Sequence, residues 1–150
     1  MILSIRPATV ADLPAMMVLE KNAATAAHWS VERYEDLLSS SEPNRVALVL
    51  SEENGVQGFV IARVVRDEWE IENIAVAGVA RRRGLGSRLL SELLGMARAR
   101  GAKAVFLEVR ESNRAARALY EKWMFVEHGR RRRYYQDPDE DAILYRIDFI

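Results

Sequence analysis

Across residues 84–100 the apolar side chains Leu85, Leu89, Leu90, Leu93, Leu94 and Ala97 recur every three to four positions, the period of an α-helix with one buried face. Gly101 follows where a left-handed cap would close it. A helix of this kind must lay its apolar face on a partner layer, and the chain supplies one immediately upstream. Residues 46–51, 58–66 and 69–76 are apolar or alternating runs separated by Asn54-Gly55 and Asp67-Glu68, which predicts an antiparallel meander. Downstream, residues 104–109 read as a buried strand, 115–123 as a helix, 125–131 as a strand and 142–149 as a final alternating strand. Ahead of the meander, residues 3–6 predict a short strand ended by Pro7. Thr9-Val10-Ala11-Asp12 has the form of a capping box for a helix reaching about Lys21, and Ser30 caps a second helix through Leu38. A meander followed by strand, helix, strand and helix makes a mixed α/β sheet.

No repeat, low-complexity tract or linker-like stretch divides the 150 residues, so residues 1–150 are expected to form a single domain of ordinary size. The chain contains no cysteine, which excludes a disulfide framework, a thiolate metal site and a cysteine nucleophile. His28 and His128 have no metal-ligand spacing, so no metal is expected. The first residues form no signal peptide, membrane span or lipidation motif, and a cytoplasmic protein away from membranes is expected. Lys and Arg total 22 and Asp and Glu total 22, a balance that argues against a chain whose main task is wrapping nucleic acid. The balance still conceals patches: Arg81 to Arg83 and Arg130 to Arg133 are basic, and Asp137, Asp139, Glu140 and Asp141 are acidic.

The segment Arg81-Arg82-Arg83-Gly84-Leu85-Gly86-Ser87 lies between a predicted strand and the strongest predicted helix. Unpaired backbone N–H groups converge at such a helix start and make a seat for an anion. Glycines at 84 and 86 let backbone approach a pyrophosphate, and the arginines add positive field. Leucine at 89 breaks the GxGxxG dinucleotide fingerprint, and no Gly-Lys-Ser/Thr follows to make a P-loop.

Arg81-x-x-Gly84-x-Gly86, preceded by Asn73-Ile74-Ala75-Val76, resembles the acetyl-CoA signature of the GNAT acetyltransferases. Leu107-Glu108-Val109-Arg110, Ser112-Asn113, Ala115-Ala116 and Ala118-Leu119-Tyr120-Glu121 are similar to the next strand and helix of the ribosomal-protein-alanine branch. Tyr134-Tyr135 and Glu140-Asp141-Ala142-Ile143 resemble the C-terminal hairpin of that branch. The resemblance implies a GNAT fold of about seven strands and about four helices, with the fourth and fifth strands splayed around acetyl-CoA. Ile74, Ala75 and Val76, residues 81–87 (Arg81, Arg82, Arg83, Gly84, Leu85, Gly86 and Ser87), Asn113 and Tyr120 would then hold the cofactor.

The implied activity is transfer of an acetyl group to a protein α-amino group, with the N-terminal alanine of a small-subunit ribosomal protein as the expected acceptor and partner. An α-ammonium with a pKa near 8 must lose a proton before it attacks. Glu108 matches the family's base, and Tyr120, protonated at neutral pH, matches the acid that returns a proton to the thiolate. Glu72 is a reserve base. Glu72, Asn73, Tyr134 and Tyr135 are the implied acceptor-side residues. Arg110 is a same-face ion partner available to Glu108. Two rivals stand beside this reading: a GNAT enzyme for small amines or lysine side chains, and a non-catalytic, CoA-responsive module that reads ribosomal RNA through the arginine clusters. The sequence departs from the family at Met124, where a glycine helix stop is expected, at Ala77-Gly78, which replaces Asp-Pro, and at Arg133, where asparagine is expected.

Overall fold

The computed structural model describes residues 3–22, 30–39, 44–53, 55–78, 84–136 and 138–149. Its strands are β1 (Ser4–Pro7), β2 (Arg45–Glu52), β3 (Gly55–Val65), β4 (Glu68–Val76), β5 (Ala104–Arg110), β6 (Val126–Tyr135) and β7 (Glu140–Asp148). The helices are α1 (Leu13–Asn22), α2 (Val31–Ser39), α3 (Leu85–Ala99) and α4 (Arg114–Lys122). One seven-stranded sheet runs in the order β1-β2-β3-β4-β5-β7-β6. This is the expected mixed α/β sheet, with boundaries that differ where local chemistry decides them. Pro7 stays inside β1, opposite Leu48, because an edge strand tolerates a missing donor. The turn after β3 falls at Arg66 and Asp67, so Glu68 belongs to β4. β6 continues four residues past the expected Arg131, and β7 begins two residues early.

Helix starts follow their caps. The Asp12 carboxylate accepts from the Thr9 amide at 2.8 Å, but the first turn, Val10–Asp12, is a 3-10 turn before α1 proper. Pro14 in the first turn of α1 costs nothing, since its missing N–H would have no partner there. The Ser30 hydroxyl accepts from the Arg33 amide at 3.2 Å and opens α2. α3 buries the whole predicted stripe, with Leu89, Leu90 and Leu93 fully covered by β2–β4 and β5. Each such leucine contributes about 1.5–3 kcal/mol. No helix among the described residues is long and apolar enough to cross a membrane.

α3 and α4 cover one face of the sheet; α1 and α2 cover the β2–β4 part of the other through Met16, Leu19, Tyr34, Phe59 and Ile61. A bulge at Glu72 exchanges the faces of β4 partway along. Ile71 lies opposite Ala62 and Asn73 opposite Ile61, which leaves Glu72 unmatched. Trp69 and Ile71 therefore pack under α3, while Asn73 and Ala75 turn toward α1 and α2.

Candidate functional site

β4 and β5 are parallel, and their pairing covers only four positions, ending at Ile71 opposite Leu107. Beyond that point β4 continues to Val76 and β5 to Arg110 without bonding to each other. A cavity of about 660 Å³ fills the opening. Its walls are residues 71–76 and 107–109, α4 contributes Ala116, Leu119, Tyr120 and Lys122 and its cap Asn113, Gly84, Gly86 and Ser87 close one end, and Tyr135 reaches in from β6.

At the Gly84 end the first bond of α3 runs from the Arg88 amide to the Gly84 carbonyl at 3.1 Å. The amides of Leu85, Gly86 and Ser87 precede it and have no acceptor within the helix, and Gly86 and Ser87 line the cavity. Gly84 has φ +73°, a left-handed conformation that glycine reaches without a Cβ clash. The Leu85 side chain is buried in the core, so only its backbone is available to a ligand. The Ser87 hydroxyl accepts from the Trp123 indole at 3.3 Å. Arg81, Arg82 and Arg83 lie outside the described residues. Asn113 caps α4, its side-chain oxygen accepting from the Ala116 amide at 3.1 Å, and also lines the cavity.

Tyr120 is 4 % exposed and packs on Phe125 and Tyr145 at ring distances of 5.7 and 6.1 Å. Burial, and secondarily Tyr135, raises its pKa above the ordinary phenol value. It is thus at once a core aromatic and part of the cavity wall.

Glu108 stands on the face of β5 away from α3, on the side that α1 and α2 leave open. Its ion partner is Arg131 of β6, with Nε to Oε1 at 2.9 Å, and the Arg131 guanidinium lies 5.3 Å from the centroid of the Tyr134 ring. The expected partner Arg110 is engaged elsewhere: it pairs with Glu140 at 3.3 Å, donates to the carbonyls of Gln136 and Pro138, and lies 4.5 Å from the Tyr135 ring centroid. The reason is the β6–β7 register. Between Arg131 and Tyr135 the strand carries extra residues opposite Asp141, with Arg133 at φ +49° and its amide donating to Asp141 at 2.9 Å. This left-handed residue occupies the position where the resemblance expects asparagine, which tolerates that conformation best after glycine. The bulge brings Arg131, Tyr134 and Tyr135 together around Glu108.

Burial pushes the Tyr135 hydroxyl up to about 12, helped by the Glu108 charge; Glu108 first and burial second raise Tyr134. Glu70 is raised by burial, against the opposing Arg63, with Glu72 and Glu108 adding to the rise. Three carboxylates therefore share one region of the open face. The reserve residue Glu72 is held by Arg45 at 2.6 Å and Arg33 at 3.4 Å. Asn73 has a buried side chain whose amide donates to Glu20 and Tyr34, both at 3.1 Å. It contributes to the cavity wall while its amide group is committed to α1 and α2, a network that sequence reasoning missed because the bulge decides which way Asn73 points. The Arg130–Arg133 patch is partly neutralised, with Arg130 bound to Glu111 at 2.6 Å and to Asp141 at 2.7 Å. Among the described residues no cluster of three or more His, Cys, Asp or Glu is arranged to hold a metal.

Residues 13–125 match the acetyltransferase (GNAT) family model. The chain is 40 % identical over 139 residues to the [ribosomal protein bS18]-alanine N-acetyltransferase of Escherichia coli K12, covering 91 % of this chain and 90 % of that protein. The crystal structure of the ribosomal-protein-S18-alanine N-acetyltransferase from Escherichia coli superposes with a TM-score of 0.86 at 35 % identity, over 98 % of this chain and 94 % of the other. Arabidopsis thaliana NAA60 in complex with acetyl-CoA gives a TM-score of 0.87 at 17 % identity over 99 % of both chains, a likeness of fold.

Proposed function

This chain belongs to the GNAT family of acetyltransferases, and from that membership we propose that it transfers the acetyl group of acetyl-CoA to the N-terminal alanine of ribosomal protein bS18, acting as one domain in the cytoplasm, where ribosomal proteins are made. One observation carries the reading: the wedge between β4 and β5 opens toward Tyr120 on one side and Glu108 on the other. Acetyl-CoA fits its chemistry. The amides of Leu85, Gly86 and Ser87 suit a pyrophosphate, the strand edges of residues 74–76 suit the amide-bearing pantetheine arm, and Asn113 lies alongside. Arg81, Arg82 and Arg83 directly precede this seat in the sequence. The 40 % identity to an enzyme named for bS18 supports the acceptor.

In the proposed reaction both substrates are bound together. Glu108 takes a proton from the acceptor's α-ammonium, the freed amine attacks the thioester carbonyl, and a backbone N–H of the β4 wall stabilises the oxyanion. The C–S bond then breaks as Tyr120 gives its proton to the departing sulfur; the new amide nitrogen sheds its second proton, which restores the Tyr120 phenol, and Glu108 releases its own proton to solvent. The raised Tyr120 pKa keeps that proton in place at neutral pH. Tyr134 and Tyr135 flank the amine's approach, and Glu72 and Asn73 shape the opposite wall.

The test is acetyl transfer from labelled acetyl-CoA to peptides that begin with the bS18 alanine, to the same peptides with blocked N-termini, and to polyamines. Turnover is expected on the free peptide alone, with Glu108→Gln and Tyr120→Phe each lowering kcat by roughly 100-fold or more. Turnover of polyamines or of blocked peptides would overturn the acceptor; undiminished activity in Glu108→Gln would overturn the base.

A further inference from the structure

A carboxylate that is to receive an ammonium is, in this structure, already holding a cation. Arg131 reaches Glu108 at 2.9 Å, and its guanidinium lies 5.3 Å from the centroid of the Tyr134 ring. A carboxylate beside an aromatic face is a cation seat in its own right. The two partners differ in how firmly they are held. The Glu108 side chain is 18 % exposed on a central strand, whereas that of Arg131 is 57 % exposed on the edge strand β6. Neighbouring cations have other partners: Arg110 is held by Glu140, Arg63 by Glu70, Arg45 and Arg33 by Glu72, and Arg146 by Glu68 and Asp148. Arg131 is therefore the neighbour with the solvent access to leave.

Resting on the assignment of Glu108 as the base, we infer that Arg131 is an internal stand-in for the acceptor: it occupies the ammonium seat on Glu108 in the free enzyme and is displaced by the incoming α-ammonium. The exchange is balanced in charge, since one cation leaves the carboxylate as another arrives, so Glu108 is never left bare beside Glu70. Tyr134 supplies the aromatic wall for either cation. The stand-in also sets a threshold for acceptors. A weakly bound amine must win the seat from a tethered guanidinium, while a peptide that gains further contacts along the open face does so readily. Arg131 acts through Glu108 and is a positioning residue.

The experiment measures KM and kcat for the bS18-type peptide in wild type, Arg131→Ala and Arg131→Lys, with and without low-millimolar guanidinium chloride and with matched sodium chloride controls. Removing the competitor should lower peptide KM about two- to five-fold, the range expected for releasing a partly exposed ion pair, with kcat changed less than KM. Guanidinium should raise KM competitively in Arg131→Ala, sodium chloride should not, and Arg131→Lys should keep the wild-type KM. An unchanged or higher KM in Arg131→Ala, or indifference to guanidinium, overturns the stand-in. Glu108→Gln separates the two claims: if it is inactive while Arg131→Ala leaves KM flat, only the stand-in fails, and if it is fully active the base fails as well.

Discussion

Asp12 carries more of the fold than its place in a turn implies. It is nearly buried, receives two hydrogen bonds of 2.8 Å from the Arg6 guanidinium and accepts from the Thr9 amide, tying β1 to the start of α1. The Arg6 bond first, with the Thr9 amide adding to it, holds its pKa at about 2, below the usual 3.8. A depressed carboxylate contributes stability that is complete above its unfolded pKa and is lost as pH falls through the folded one. Asp12→Asn should therefore cost about 1–3 kcal/mol at neutral pH, measured by urea unfolding, and its deficit against wild type should shrink between roughly pH 4 and pH 2. A deficit that stays constant down to pH 2 would mean that shape, not charge, is what Asn fails to supply. Residue types such as this one are legible in sequence, and so were the oddities: a glutamate amid the apolar run of β5, an acidic residue three after Thr9. Partners are less legible. Glu108 takes Arg131 and not Arg110 because a left-handed residue at 133 shifts the register of β6, and no periodicity reports that shift.

At the scale of the element, the end of α4 shows a conflict between sequence and backbone. The Met124 amide donates to Glu121 and the Phe125 amide to Tyr120, each at 3.0 Å, the paired bonds of a Schellman stop. The Phe125 ring then packs 5.7 Å from that of Tyr120, so the stop places the proposed acid. The motif needs a left-handed residue, and Met124 takes φ +73°. That costs an L-residue about 1–2 kcal/mol; glycine avoids this strain, and its freer unfolded chain offsets roughly 0.5–1 of the gain. Since the Met124 side chain is 73 % exposed, truncating it uncovers little. Met124→Gly should then stabilise the protein by roughly 0.5–1 kcal/mol and raise Tm by about 2–4 °C, read by calorimetry, whereas Met124→Val should lower it. A lower Tm for the glycine variant would reveal a contact of the methionine that outweighs the strain. The helix itself was plain from its apolar spacing, and so were the meander and α3. The ends of β6 and β7 were not, because a solvated hairpin whose strands are rich in charge carries no alternation to mark where pairing begins.

The whole molecule is organised around a sheet that does not close. β1 to β4 form one half and β5 to β7 the other, joined by four paired positions ending at Ile71 and Leu107. α3 packs beneath both halves, so the opening is held apart by a solid core. Past those four positions the facing edges of β4 and β5 present backbone groups to a cavity instead of to each other, a costly arrangement unless water or a ligand satisfies them. Acetyl-CoA bound there would act as the missing strand between the halves. Two readouts should follow. Saturating acetyl-CoA at about 100 times its Kd should stabilise the fold by about 2.7 kcal/mol, and Tm should rise by several degrees. Hydrogen exchange should slow at residues 73–76, 84–87 and 108–110, while 69–71, already paired to β3 and β5, change little. If acetyl-CoA raised Tm but left 73–76 and 108–110 exchanging as before, the ligand would be held by its phosphates at α3 alone. The wedge would then not be where the thioester lies, and the roles of Glu108 and Tyr120 would have to be reassigned together.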